Sequence, residues 1–150
     1  MAFLGTYPYA IDGKKRVPIP PLYRDEFKEM AVLTTGLEPC VVVYTPSGFD
    51  EASERVQAIP EETEEGRDAR RDFFANAQPV KPDGQFRLTL QEKWVEHAGL
   101  ERDVVVIGAG KWLEIWDKAT WEGRDGSRAS ARRRETTAMA QRTASKEAGS

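Results

Sequence analysis

Histidine and cysteine are nearly missing from this 150-residue chain, which has only His97 and Cys40. One cysteine forms no internal disulfide, and with one histidine it builds no zinc cluster. A Ser-His-Asp or Cys-His relay would have to run through His97. That residue stands in Glu96-His97-Ala98-Gly99, close to an expected helix end, where a structural or surface role is expected. Cys40 lies in an apolar segment and reads as a small core residue rather than a nucleophile. Gly108-Ala109-Gly110 lacks the third glycine of a dinucleotide cradle, so it reads as a tight strand connection, and no Gly-Lys-Ser/Thr phosphate loop occurs. The carboxylates Glu61, Glu62, Glu64 and Glu65 have no His or Cys near them and read as a solvated helix face. No enzyme activity, metal or cofactor is expected.

Long apolar runs are absent too: nothing approaches the roughly 20 residues a membrane helix needs. The opening residues Met1 to Tyr9 carry neither the basic nor the apolar segment of a signal peptide, which points to the cytoplasm. Hydrophobic residues at 39% can fill a core, while charged residues at 31% give a strongly polar surface. The net charge of -3 is unevenly spread. Residues 123–150 carry seven Lys and Arg against three Asp and Glu, a local +4, so residues 1–122 carry -7. Any nucleic-acid footprint on that acidic body must therefore be a local basic patch.

What the chain has is a repeat. Asp12-Gly-Lys-Lys-Arg16-Val-Pro-Ile-Pro-Pro-Leu-Tyr23 returns 71 positions later as Asp83-Gly-Gln-Phe-Arg87-Leu-Thr-Leu-Gln-Glu-Lys-Trp94. Asp, Gly, Arg, an alternating apolar pair and an aromatic keep their offsets, and such duplication implies a pseudo-symmetric fold. The expected elements follow the same beat. Phe3 to Tyr7 reads as a strand limited by Pro8, and Ala10 to Ile19 as strand, Asp-Gly turn, strand. A helix is expected from Leu22 to about Met30, then strands at Val32 to Thr34 and Cys40 to Tyr44. Ser47 or Asp50 would cap a helix running to about Ala58, and a second helix would start at Pro60 and reach Ala75, bounded by Pro79. The second copy supplies a strand at Arg87 to Leu90, a helix from Gln91 closed by Gly99, and strands at Val104 to Ile107 and Trp112 to Trp116.

The turn is the chemically distinctive part. Lys14, Lys15 and Arg16 put three cations on one turn of an acidic body, and Arg87 stands at the matching place in the second copy. An Asp four residues before an Arg can bridge a tight turn and staple it.

These residues resemble a known family. Phe3-Leu4-Gly5-Thr6-Tyr7, Asp12 to Arg16, Ile19-Pro20 and Leu33-Thr34 with Gly36-Leu37 resemble the opening half of MraZ proteins. Arg70-Arg71-Asp72-Phe73-Phe74-Ala75, Asp83 to Arg87, Ala98-Gly99-Leu100 and Glu114-Ile115-Trp116-Asp117 resemble the remainder. The resemblance implies an α+β fold, mainly β with short helices, of two tandem SpoVT-AbrB-like half-domains. Their topology would be a pseudo-two-fold, swapped-hairpin barrel of double-psi-like type. Residues 1–57 and 79–122 would be the repeats, 58–78 a connecting helix and 123–150 a basic disordered tail. The implied function is a transcriptional regulator, with repression as the expected output, of the division and cell-wall gene cluster including its own gene. It would bind G-rich direct repeats in double-stranded DNA as a ring of eight or more copies, associated with the nucleoid and with no membrane. By that resemblance Arg16 and Arg87 face DNA, Lys14 and Lys15 meet phosphates, and Asp12 and Asp83 order the loops.

This chain departs from the family pattern in two ways: first, the family has Gly just before the motif arginine, where Lys15 and Phe86 stand. Gly13 and Gly84 follow the aspartates instead, so a re-registered turn is expected. The second copy also has Leu90-Gln91 where Ile-Pro is usual, which makes Arg16 the favoured reader and leaves the second copy to complete fold and ring. A second reading stays open, an AbrB-like interaction module, antitoxin or scaffold, without specific DNA binding.

Overall fold

The computed structural model describes residues 2–124. Residues 125–150, which hold most of the expected basic tail, lie outside the described residues. The chain divides into two units, residues 1–118 and 119–150. In the second, residues 119–124 are helical, with the Arg124 guanidinium 5.4 Å from the Trp121 ring centre.

The first unit is built from eight strands and four short α-helices. Strands β1 (Thr6–Ala10), β7 (Asp103–Gly108), β8 (Leu113–Asp117), β4 (Val41–Tyr44), β3 (Ala31–Thr35) and β5 (Gln78–Val80) make one antiparallel sheet in that spatial order. The order is a palindrome of the repeat. The equivalent strands β4 and β8 pair at its centre, Val41 opposite Ile115 and Val43 opposite Leu113. On one side β1 of the first copy pairs with β7 of the second, and on the other β5 of the second pairs with β3 of the first. A separate two-stranded ribbon joins β2 (Arg16–Pro18) to β6 (Arg87–Thr89), with Val17 opposite Leu88. Each copy therefore completes the other, which is the swapped-hairpin arrangement. The local hairpin expected at Ala10 to Ile19 does not form: β1 and β2 flank the same turn but pair with different strands of the other copy.

Alternation explains why the core sits between sheet and ribbon. Leu33, Val41, Val43, Val104, Val106 and Ile115 point one way from the sheet and meet Val17, Ile19, Leu88 and Leu90 from the ribbon side. Tyr23, Phe27 and Trp94 fill the space between, each essentially inaccessible to water. Burying each of these large side chains contributes about 1.5–3 kcal/mol. Their polar atoms are satisfied: Trp94 Nε1 donates to the Asn76 carbonyl at 2.9 Å, and Tyr23 Oη accepts from the Leu4 amide at 2.8 Å. The opposite face of β4 carries an aromatic cluster, with Phe49 stacked on Phe73 at 5.3 Å and Tyr44 edge-on to Phe49 and Trp112.

Several boundaries differ from the sequence expectation. Strand β1 runs straight through Pro8, because it is an edge strand that needs donors on one side only. Strand β5 contains Pro79 for the same reason, although the proline read only as a helix stop. The expected Leu22–Met30 helix shrinks to a 3-10 turn, Pro21–Tyr23, and α1 (Arg24–Phe27), leaving Leu22 exposed. Helix α2 (Pro46–Gln57) is capped by Thr45, whose hydroxyl accepts from the Gly48 amide at 3.0 Å, rather than by Ser47 or Asp50. Helix α3 (Glu64–Ala75) starts four residues after Pro60, where the Thr63 hydroxyl accepts from the Gly66 amide at 3.0 Å. Helix α4 (Glu92–Ala98) ends as expected, with Gly99 left-handed at φ 60°. His97 on α4 has a structural task. Its Nε2 lies 3.0 Å from the carbonyl oxygens of Gly36 and Glu38, so the protonated nitrogen donates to the β3–β4 loop. Cys40 is buried, as expected of a small core residue.

Gly108 ends β7 where the chain's opening segment passes behind it, and its amide donates to the Gly5 carbonyl at 2.8 Å. A Cβ there would overlap the Leu4 and Phe3 backbone, which cannot swing aside as a side chain can. Gly108→Ala is expected to cost about 1–3 kcal/mol. A thermal melt should show a midpoint lowered by roughly 5 °C or more, and an unchanged midpoint would refute the close approach.

Candidate nucleic-acid interface

Each motif turn is organised by one carboxylate. Asp12 Oδ1 accepts from the amides of Lys14 at 3.0 Å and Arg16 at 2.9 Å, while its Oδ2 accepts from Arg16 Nε at 2.6 Å. The backbone closes behind it, Lys15 N donating to Asp12 O at 3.0 Å and Asp12 N to Arg16 O at 3.2 Å. The second turn repeats the pattern. Asp83 Oδ1 accepts from the amides of Gln85 and Arg87, both at 2.9 Å, and Oδ2 accepts from Arg87 Nε at 2.9 Å.

These bonds lower both aspartate pKa values from the ordinary 3.8. The largest cause at Asp12 is the Arg16 amide, and at Asp83 the Arg87 amide; desolvation opposes it at each, and the guanidinium bonds add to it. A carboxylate that accepts several N–H bonds is favoured in its charged form.

The turn is not re-registered. Neither Gly13 nor Gly84 takes a positive φ; Lys15 at 60° and Phe86 at 57° do. The left-handed position falls just before each arginine, as in a tight turn closed by a bulge of the G1 kind. The reason is the ladder that follows. The Lys15 carbonyl accepts from the Leu90 amide at 2.8 Å, and the Phe86 carbonyl accepts from the Ile19 amide at 2.9 Å. Moving the left-handed residue would turn both carbonyls away from the opposite strand.

Because β2 pairs with β6, the two turns lie side by side. Arg16 Nη1 is 3.9 Å from Asp83 Oδ2, and Arg87 Nη1 is 4.0 Å from Asp12 Oδ2. The four side chains are between 24% and 33% exposed and form a crossed quartet of balanced charge. At that exposure solvent screens the pairs, so the quartet serves geometry more than stability. Each guanidinium commits Nε to its own aspartate, which fixes the plane of the fork and keeps the Nη donors for another acceptor. Lys14 is exposed and Lys15 half-buried beside the quartet, so the net charge of the patch comes from the lysines. All six residues singled out in the sequence thus fall in two adjacent turns, and both turns have the same geometry.

Sequence reasoning missed two neighbours. Phe86 packs partly buried against the core, and the Arg24 guanidinium lies 5.1 Å from its ring centre. The signal was available: Phe86 stands where a glycine belongs, and a large residue at a left-handed position needs compensating contacts. Among the described residues, no three His, Cys, Asp or Glu side chains group as a metal site would.

Two stability measurements test this geometry. Lys15→Gly removes a left-handed non-glycine residue and is expected to raise unfolding stability in urea by about 0.5–1 kcal/mol, whereas a turn re-registered onto Gly13 would show no gain. Acid titration gives the second. Because both aspartates have depressed folded pKa values, their contribution is fully present above the unfolded value near 3.8 and is lost as pH falls through the lower folded values. The Asp12→Asn/Asp83→Asn variant should lose stability at neutral pH and show a shallower fall below about pH 4 than the parent.

Comparison with known proteins identifies the family. The family model described as "MraZ protein, putative antitoxin-like" matches the chain twice in tandem, over residues 2–72 and 73–143. The chain is 40% identical to the transcriptional regulator MraZ of Micrococcus luteus over 119 residues, 79% of this chain and 83% of the relative. It is 42% identical to that of Thermobifida fusca over 119 residues, 79% and 83% of the two chains. To that of Clavibacter michiganensis it is 38% identical over 120 residues, 80% and 84%. These relatives carry the name of a regulator, a non-enzymatic class. With two tandem matches, one Asp-x-x-x-Arg turn in each, and relatives aligned over most of both lengths, the chain belongs to the MraZ family.

Proposed function

We propose that this protein is a DNA-binding transcriptional regulator whose reading surface is the pair of Asp-x-x-x-Arg turns. The observation that carries the proposal is their placement side by side by the β2–β6 ribbon, each arginine held by its own aspartate. A held guanidinium loses little freedom on binding, and its Nη fork matches guanine O6 and N7, the commonest specific contact in the major groove. Two forks related by a pseudo-two-fold suit neighbouring guanines, in keeping with the G-rich direct repeats the family resemblance implies. Lys14 and Lys15 supply the phosphate neutralisation that positions the forks.

One such surface is small. A ring of copies would present it repeatedly to successive repeats, adding avidity without new contacts. The proposed target, in keeping with the family resemblance, lies upstream of the division and cell-wall genes and includes the protein's own promoter, with the protein at the nucleoid. Among the described residues no helix is long and apolar enough to cross a membrane.

Fluorescence anisotropy on a G-repeat duplex and a scrambled duplex tests the reading. Arg16→Ala and Arg87→Ala should each weaken binding to the G-repeat duplex by about 1–3 kcal/mol, with a smaller effect on the scrambled one. Lys14→Ala should weaken both alike and reduce the salt slope by about one. A folded protein without salt-sensitive affinity for either duplex, and with one stoichiometric protein partner, would favour the interaction-module reading instead.

A further inference from the structure

The two turns match in geometry but not in charge. The first carries Lys14-Lys15-Arg16, while the second carries Gln85-Phe86-Arg87 and so lacks both lysines. A pseudo-symmetric reading surface would then hold one half of its duplex more weakly than the other.

The structure assigns the missing cation to Arg24, the first residue of α1, as a phosphate contact for the second turn. This assignment rests on the reading of the turns as a DNA surface. The Arg24 guanidinium lies 5.1 Å from the centre of the Phe86 ring, one residue from Arg87. Cation-π attraction of this kind holds a guanidinium in place without neutralising it. No carboxylate neutralises it either: none of the ion pairs among the described residues includes Arg24, and its neighbours Asp25 and Glu26 do not come within pairing distance. Its Nε is buried with no hydrogen-bond acceptor. That burial closes the Nε to any outside acceptor, and the Nη groups of the half-buried side chain, which make no ion pair among the described residues, are the donors left to meet a phosphate.

The repeat shows that Arg24 is not a copied structural residue. With the same offset of 71 that relates Asp12 to Asp83 and Tyr23 to Trp94, Arg24 corresponds to Val95, which is buried. Lys15 corresponds to Phe86, and both are left-handed. The first turn thus carries a lysine on its own backbone at the position where the second carries a ring that holds an arginine from α1. The exchange also accounts for Phe86: the bulky residue at a strained position seats the cation that its own turn lost.

The test is a salt series of anisotropy titrations on the G-repeat and scrambled duplexes, with the parent, Arg24→Gln, Phe86→Leu, the double variant and Arg16→Ala. A circular-dichroism melt of each variant confirms that it is folded. Arg24→Gln should weaken both duplexes equally, by roughly 3- to 10-fold at low salt, and reduce the salt slope by about one per chain bound. Phe86→Leu keeps apolar bulk but removes the π face; it should give a smaller loss on both duplexes, and Arg24→Gln should add less in that background than alone. An Arg24→Gln protein with parental affinity and slope, while Arg16→Ala still loses the G-repeat duplex, overturns the assignment and leaves the turns as readers. A loss confined to the G-repeat duplex would also overturn it, since a phosphate contact carries no sequence preference. No binding by the parent to either duplex defeats the underlying reading instead.

Discussion

The pairing of β2 with β6 is the constraint from which the rest of the first unit follows. Each strand is only three residues long, and neither finds a partner in its own half of the chain. A two-stranded ribbon of that length is marginal in water by itself. It persists because Val17 and Leu88, facing each other at its centre, are buried against the core, and because the turn at each end is locked by an aspartate. Once the ribbon forms, β1 and β5 leave their turns on opposite sides and reach the far hairpins of the sheet. The palindromic strand order then follows, and the crossing requires a long connection, which α2 and α3 provide between β4 and β5.

Stability and recognition are joined in the same turn. A left-handed non-glycine residue costs about 1–2 kcal/mol. At Lys15 and Phe86 that cost is offset by the aspartate bonds within the turn and by the carbonyl of the strained residue, which continues the ladder to the opposite strand. The arrangement that closes the turn also fixes the arginine: one carboxylate holds two backbone amides and the Nε of the side chain. Geometry of this kind lowers the ordering cost of binding, because the guanidinium plane is set before a ligand arrives. It also links folding to acidity, since protonating Asp12 or Asp83 weakens the turn and releases the fork together.

Much of this was legible in the residues. The 71-residue offset exposed the duplication, short apolar runs located β3, β4, β7 and β8, and Gly99 marked the end of α4. The Asp-x-x-x-Arg spacing picked out four of the residues that the fold gathers into two turns, and the run of positive charge picked out Lys14 and Lys15 beside them. The errors have local causes. Thr45 and Thr63 cap their helices because each hydroxyl reaches the amide three residues on, in competition with nearby serine, aspartate and proline signals. Pro8 and Pro79 looked like breaks because edge position, which makes them harmless in strands, is a property of the assembled sheet.

By itself the sequence determined what each segment could be: a repeated strand–turn–strand unit, an apolar face on every strand, and a carboxylate four residues before an arginine. These are short-range matters of side-chain period and turn chemistry. Tertiary structure alone decided which strand met which. The residues of β2 and β6 alternate in the way any half-buried strand does, and only the closed core, with Tyr23, Phe27 and Trp94 filling it, selects pairing across the two copies over a local hairpin. The crossed contacts of Arg16 with Asp83 and Arg87 with Asp12, and the seat of Arg24 on Phe86, exist only after that choice. They join residues 62 to 75 positions apart, beyond the reach of local spacing.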